Sequence, residues 1–156
     1  MELDDVIKKR ISIRKYQKKP VPLEKVALLL EAAKHAPSSG NLQDFRFIVV
    51  TENDLKNKIA EASLKQYWMN TASIHIIICS DTQRLETYFK ENFKKYSLQN
   101  SSAAAVLIAL KAVDLGLATC WIDVFDANAV SRILKIPDNI KPEIILTLGY
   151  EEERPV

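Results

Sequence analysis

Glycine is scarce in this sequence: three residues, Gly40, Gly116 and Gly149, in a chain of 156. A phosphate loop of the G-x-G-x-x-G or P-loop kind needs closely spaced glycines, so any nucleotide cofactor must bind by other means. Cysteine is equally rare. Cys79 and Cys120 form no C-x-x-C pair and sit in apolar runs, and both are read as plain buried thiols rather than a disulfide. The two histidines, His35 and His75, have no Cys, Asp or Glu cluster at ligand spacing, so no metal site is expected. An excess of one charge is also missing. With 22 basic and 20 acidic residues the net charge is +2, which offers no electrostatic footprint for nucleic acid or an anionic membrane. No run approaches the roughly 18 apolar residues of a membrane span. The opening Met1-Glu2-Leu3-Asp4-Asp5 lacks the basic-then-apolar layout of a secretory signal. These absences together predict a cytoplasmic protein with neither a nucleic-acid nor a membrane partner.

What is present is enough for a core. Apolar residues make up 47% of the chain, and its length suits one domain spanning residues 1–156. Leu3, Val6, Ile7 and Arg10 give a short helical face, and Ile11 to Gln17 reads as extended. Pro20-Val21-Pro22 breaks the chain before a helix marked by Leu23, Val26, Ala27, Leu30 and Ala33, which Pro37 stops. Phe45–Val50 and Ile74–Cys79 are apolar strands, with a short helix between them, capped by Asn53 or Asp54 and running to about Ser63. Arg84 to Lys95 reads as a charged surface helix. Ser101 to Leu115 reads as a separate, central apolar helix that ends at Gly116. Leu117 to Ile122 is extended, Asp126 caps a helix over 127–134, and Ile144–Leu148 is a last strand. Strands and helices in this mixed order predict an α/β layered domain, with connections too varied for a regular doubly wound sheet.

Three segments carry chemistry. In Arg10-Ile11-Ser12-Ile13-Arg14, an extended backbone puts two guanidiniums and a hydroxyl on one side and two isoleucines on the other. Arginine forks match phosphate and carbonyl-rich rings, though a solvated face beside Lys8, Lys9 and Lys15 has the same pattern. Pro37-Ser38-Ser39-Gly40-Asn41-Leu42-Gln43 gathers neutral donors and acceptors in one loop, as a flavin pyrimidine edge requires; a simple turn is the plainer reading. Leu115 to Asp123 takes a buried helix through a tight turn into a strand, bringing backbone amides to a rim. There Trp121 reads as core, and Asp123 could equally cap the next turn.

In order and wording these segments resemble the nitroreductase family over nearly the whole chain. The family's Arg-x-Ser-x-Arg/Lys opening is matched by Arg10, Ser12 and Arg14, and its Pro-Ser-x-x-Asn-x-Gln loop by Pro37, Ser38, Asn41 and Gln43. Phe45-Arg46-Phe47 stands for its aromatic strand, Gly116 to Asp123 for its glycine-rich turn, and Leu148-Gly149-Tyr150 for its ending. The resemblance implies an α+β sandwich with a mixed, mainly antiparallel sheet flanked by helices, forming a homodimer with FMN at the interface. By carry-over, Arg10, Ser12 and Arg14 would hold the FMN phosphate, ribityl chain and pyrimidine edge, Ser38, Ser39 and Asn41 would reach it from the other subunit, and Pro37 and Gln43 would belong to the same cofactor-binding set. Backbone at Ile122 and Asp123 would lie by flavin N5, and Arg154 would help bind the phosphate. Hydride would pass from NADH or NADPH through N5 to a small acceptor such as a nitroaromatic or quinone, in ping-pong fashion, with no catalytic side chain. The alternative is a non-catalytic FMN-binding protein for storage or sensing. A third reading is an interaction module using the lysine-rich N-terminal stretch. The sequence departs from the family at Ile11, Asp44-Phe45, Ala118 and Asp123. A carboxylate at position 123 facing N1 would disfavour anionic reduced flavin and lower its potential. Residues 64–70 and 84–96 are the expected pocket walls, with Tyr67, Trp68, Tyr88 and Phe89 able to stack on a planar substrate.

Overall fold

The apolar runs do become strands, and their side-chain alternation sets the architecture. The computed structural model describes residues 1–152. Its sheet comprises β1 (Phe45–Val50), β2 (Ile74–Asp81), β3 (Ala118–Ile122) and β4 (Ile140–Gly149), ordered β1-β2-β4-β3 with every neighbouring pair antiparallel. The helices are α1 (Leu3–Lys9), α2 (Leu23–Lys34), α3 (Asn53–Ala62), α4 (Thr82–Phe89), α5 (Phe93–Asp114) and α6 (Ala127–Leu134), with 3-10 turns at Ser39–Asn41, Tyr67–Thr71 and Lys90–Asn92. The predicted α+β sandwich with a mainly antiparallel sheet is therefore what the chain adopts.

Both faces of the sheet are covered. Ile74, Ile76, Ile78, Ile144, Leu146 and Leu148 meet Leu29 and Ala33 of α2 and Ala104, Ala105, Ile108 and Ala112 of α5. On the other side Ile77, Cys79, Cys120, Ile122 and Ile145 meet Ile59 and Ala60 of α3 and Val130 of α6. Double coverage explains why the central strand β2 reads as an unbroken apolar run rather than an alternating one. A third cluster of Ile13, Tyr16, Ala72 and Ala118 seals the edge beyond β3. No helix among the described residues is long and apolar enough to cross a membrane.

β4 begins at Ile140, four residues before the strand expected from Ile144, and three helix boundaries also differ from the sequence reading. The helix expected over 84–95 is instead α4, capped by the Asp81 carboxylate accepting from the Arg84 amide at 3.1 Å, and it ends at Phe89. Lys90, at φ 50 and ψ −122, interrupts the helical ladder there. The helix expected to begin at Ser101 already starts at Phe93 and runs unbroken to Asp114, because Ser97, Asn100 and Ser101 are polar yet buried. At α3 neither Asn53 nor Asp54 caps: Glu52 holds the N-cap position and no side chain bonds to the free amides. The expected stops and caps elsewhere are present. Gly116 turns the chain at φ 77, and the Asp126 carboxylate accepts from the Ala129 amide at 3.0 Å.

Candidate functional site

The Arg10–Arg14 segment lies outside β3 as a fragment of a fifth strand. Ser12 forms a parallel bridge with Thr119, and the Ile13 amide donates to the Thr119 carbonyl at 3.0 Å. Alternation then acts as expected. Ile13 is buried and Ile11 partly so, while Arg10 and Arg14 stand exposed. Beside the segment the Cys120 thiol stands above the ordinary cysteine value, raised by burial although Arg14 and Ser12 draw it down. Arg14 is braced by stacking, its guanidinium carbon 5.9 Å from the Trp68 ring centroid. Trp68 packs against two of the apolar clusters and so serves as support for Arg14. Tyr16 anchors the far end of the segment. Its hydroxyl meets Thr147 Oγ1 at 2.7 Å, and burial holds the phenol above its ordinary pKa, so it stays neutral.

The Pro37–Gln43 loop has an unusual backbone. Gly40, Asn41 and Gln43 sit at φ 57, 54 and 49, a region costly for glutamine. An added Cβ on Gly40 would lie 3.1 Å from Phe89 Cζ, so the turn is pressed onto the end of α4. Ser38 Oγ accepts from the Gln43 amide at 3.0 Å and closes the loop on itself. The Ser39 amide and hydroxyl both donate to Asn100 Oδ1 at 3.1 Å. Asn100 in turn donates to Asp44 Oδ1 at 2.8 Å, and the Ser80 hydroxyl donates to Asp44 Oδ2. Ser39 therefore spends its hydroxyl inward, whereas Pro37, Asn41 and Gln43 are exposed.

The third segment places Ile122 buried at the end of β3 and Asp123 exposed beyond it. Asp123 Oδ1 accepts from the Trp121 indole at 2.5 Å, which fixes the carboxylate over its own strand. Arg154, the expected phosphate ligand, lies outside the described residues.

The structure brings these pieces together only in part. Arg10, Ser12, Arg14, Ile122 and Asp123 gather around β3. The Pro37–Gln43 loop leads into β1, at the opposite edge of the sheet. Four interstrand steps of about 4.8 Å separate the two groups by about 19 Å across the sheet, before any offset along the strands. Nor does a cleft of about 700 Å³ join them; it is lined by Gln17, Lys18, Lys19, Lys56, Asn57 and Asn70. The sequence reading missed Asn100 and Ser80. Their only signal was a polar residue inside an otherwise apolar element, and that does not say which distant group it meets.

The chemistry left on the β3 side suits a phosphorylated cofactor. Arg10 and Arg14 are exposed cations, and no ion pair engages either of them among the described residues. Such donors match phosphate or ring carbonyls. Comparison with known proteins gives the family. A Methanothermobacter thermautotrophicus protein whose name joins NADH dehydrogenase to NAD(P)H nitroreductase is 32% identical over 159 residues, covering 99% of this chain and 80% of its own length. The crystal structure of a nitroreductase family protein from Clostridium novyi NT superposes with a TM-score of 0.88 at 32% identity, covering 98% of this chain and 87% of that one. An FMN-dependent nitroreductase of Clostridium difficile R20291 gives 0.84 at 30% identity, covering 96% and 88%. The nitroreductase family itself matches residues 7–73 and 62–150, and the chain belongs to that family.

Proposed function

We propose that the protein is an FMN-dependent oxidoreductase that takes hydride from NADH or NADPH and delivers it to a small acceptor such as a nitroaromatic or a quinone. In this reading each FMN sits between two copies of the chain. Arg10, Ser12 and Arg14 of one copy hold the phosphate and the polar edge of the ring, with backbone at Ile122 and Asp123 beside it. Pro37, Ser38, Ser39, Asn41 and Gln43 come from the other copy. When bound, FMN supplies the hydride-accepting and hydride-donating chemistry, so no side chain acts as general base.

The observation that carries this reading is the pair of guanidiniums, in no ion pair among the described residues, at one sheet edge and the neutral polar loop at the other. Neither group makes a complete site alone, and a two-fold dimer brings one of each together. Exposed apolar side chains fit that assembly: Leu3 and Ile7 on α1, and Leu98 and Val106 on α5, are 44–65% exposed. A helix that is apolar on several sides is normally covered on several sides.

The chain's own residues contribute binding and orientation. Trp68 braces Arg14, and Asn41 and Gln43, exposed and with no side-chain partner among the described residues, offer amides for ring donors and acceptors. The test is an absorption spectrum of the purified protein with FMN, followed by anaerobic NADH and then NADPH. A flavin spectrum that bleaches with either nucleotide supports the reductase. Bound FMN that neither nucleotide bleaches replaces it with the storage or sensing reading, and a chain that ignores FMN overturns the site.

A further inference from the structure

We propose that Asp44 and Asn100 are positioning residues for the cofactor: together they lock the Ser38–Gln43 loop in the form that receives FMN. This rests on the flavin reading of that loop. Asp44 immediately follows the loop and is fully buried, yet no cation meets it among the described residues. A buried carboxylate without a counter-charge persists only where neutral donors satisfy it. Here both of its oxygens are engaged, one by the Asn100 amide at 2.8 Å and the other by the Ser80 hydroxyl, while the Asp44 carbonyl accepts from the Asp81 amide at 2.8 Å. Asn100, also buried, turns its carbonyl oxygen outward to take the Ser39 amide and hydroxyl, both at 3.1 Å.

The relay therefore runs Ser80, Asp44, Asn100, Ser39, and ties the loop to β2 on one side and α5 on the other. Its direction matters. Every inward-facing polar group of the loop's first turn is consumed by the relay or by Ser38. Asn41 and Gln43 remain exposed with no side-chain partner among the described residues. A loop holding three left-handed residues needs outside constraint to keep that shape. Asp44 and Asn100 supply it from behind while leaving the outer amides free for a ligand.

The relay can be inverted. In the double variant Asp44→Asn with Asn100→Asp, residue 44 donates to residue 100, Ser80 donates to the new amide oxygen, and the new carboxylate accepts both Ser39 donors. Asn100→Ala instead removes the link and leaves Asp44 Oδ1 and both Ser39 donors without their partner, while Ser80 still donates to Asp44 Oδ2. Two measurements on the full chain test the role. They are amide hydrogen exchange of the peptide spanning 38–43 without cofactor, and the FMN dissociation constant from fluorescence quenching well below the melting temperature.

In Asn100→Ala, exchange in that peptide rises and FMN binds about tenfold more weakly, with β2 exchange unchanged; the inverted double variant returns both to within about threefold of wild type. A purely structural role lowers the melting temperature and leaves the affinity of the folded protein alone. Wild-type affinity in Asn100→Ala overturns the proposal by itself, as does a double variant that binds as weakly as Asn100→Ala. A wild-type chain that takes up no FMN overturns it together with the flavin reading.

Discussion

His75 makes the stability of this protein depend on acidity in a calculable way. It lies on the central strand β2, fully buried, with Nε2 donating to the Met69 carbonyl at 2.8 Å and Nδ1 facing no partner. A second proton would have to sit on Nδ1, away from water, near the buried ammonium of Lys56, which itself donates to the Ala72 and Ser73 carbonyls at 2.9 and 3.2 Å. Burial is the main force and Lys56 adds to it; the Met69 carbonyl opposes both but does not prevail, and the imidazole falls from 6.5 to about 4. Because the folded value is the lower one, the contribution is present above pH 6.5 and drains away as pH falls toward 4. From pH 7.5 to pH 5.0 the loss comes to roughly 2 kcal/mol, or about 4–8 °C in melting temperature for a chain of this length. Replacing His75 by Gln keeps a donor for Met69 and removes the titration. Urea unfolding followed by circular dichroism at the two pH values isolates the effect, since carboxylates contribute equally to both proteins. The variant loses about 2 kcal/mol less than wild type on acidification. Equal losses would refute the account of His75 as a neutral, unpaired buried imidazole.

Other expectations follow from the site and its supports. Arg14→Ala weakens FMN binding about tenfold or more, since a charge-assisted hydrogen bond contributes about 1.5–3 kcal/mol; fluorescence titration reads it, and an unchanged dissociation constant would place the cofactor elsewhere. Gly40→Ala destabilises the chain by about 1 kcal/mol, through the positive φ and the pressure on Phe89. A neutral thermal melt would contradict that. Thr147→Val, which strands the buried Tyr16 hydroxyl, costs about 1–3 kcal/mol and more than Tyr16→Phe, whose partner Thr147 keeps the Cys120 carbonyl at 3.5 Å. If the two melts shift equally, the Tyr16 hydroxyl has another outlet. Asp123→Asn raises the reduction potential of bound FMN by removing a nearby negative charge. Equal potentials in spectroelectrochemistry would mean that the carboxylate held by Trp121 does not act on the ring.

Much of the fold was legible because it is written locally. Alternation at Ile11 and Ile13 correctly put Arg10 and Arg14 on the open side, with Ser12 half-buried between them, and the buried β2 announced itself as an apolar run. Gly116 and Asp126 marked ends by backbone and capping chemistry that needs no tertiary information. The α4–α5 boundary was hidden because Lys90 takes a left-handed φ without the glycine that usually signals it. The early part of α5 was misjudged for a related reason. Ser97 and Asn100 look solvent-facing in sequence, and only their partners, Glu143 for Ser97 and Asp44 for Asn100, explain their burial. Partnerships between residues dozens of positions apart leave no periodic trace. The missing cap at Glu52 belongs to the same class, since nothing in the local sequence says that Asn53 already lies inside the helix.

The placement of the two half-sites on opposite edges of one sheet has a genetic corollary. On the proposed dimer, a subunit lacking Arg10 and Arg14 and a subunit lacking Asn41 and Gln43 are each inert as pure populations. Mixed, they form hybrids in which one cofactor position is assembled entirely from intact halves and the other entirely from damaged ones. Up to half of the mixed molecules thus regain a single working centre, so the two defects complement each other in trans although neither is corrected. The reverse holds for a subunit damaged on both edges: it spoils both centres of any dimer it enters, and one such allele suppresses its normal partner.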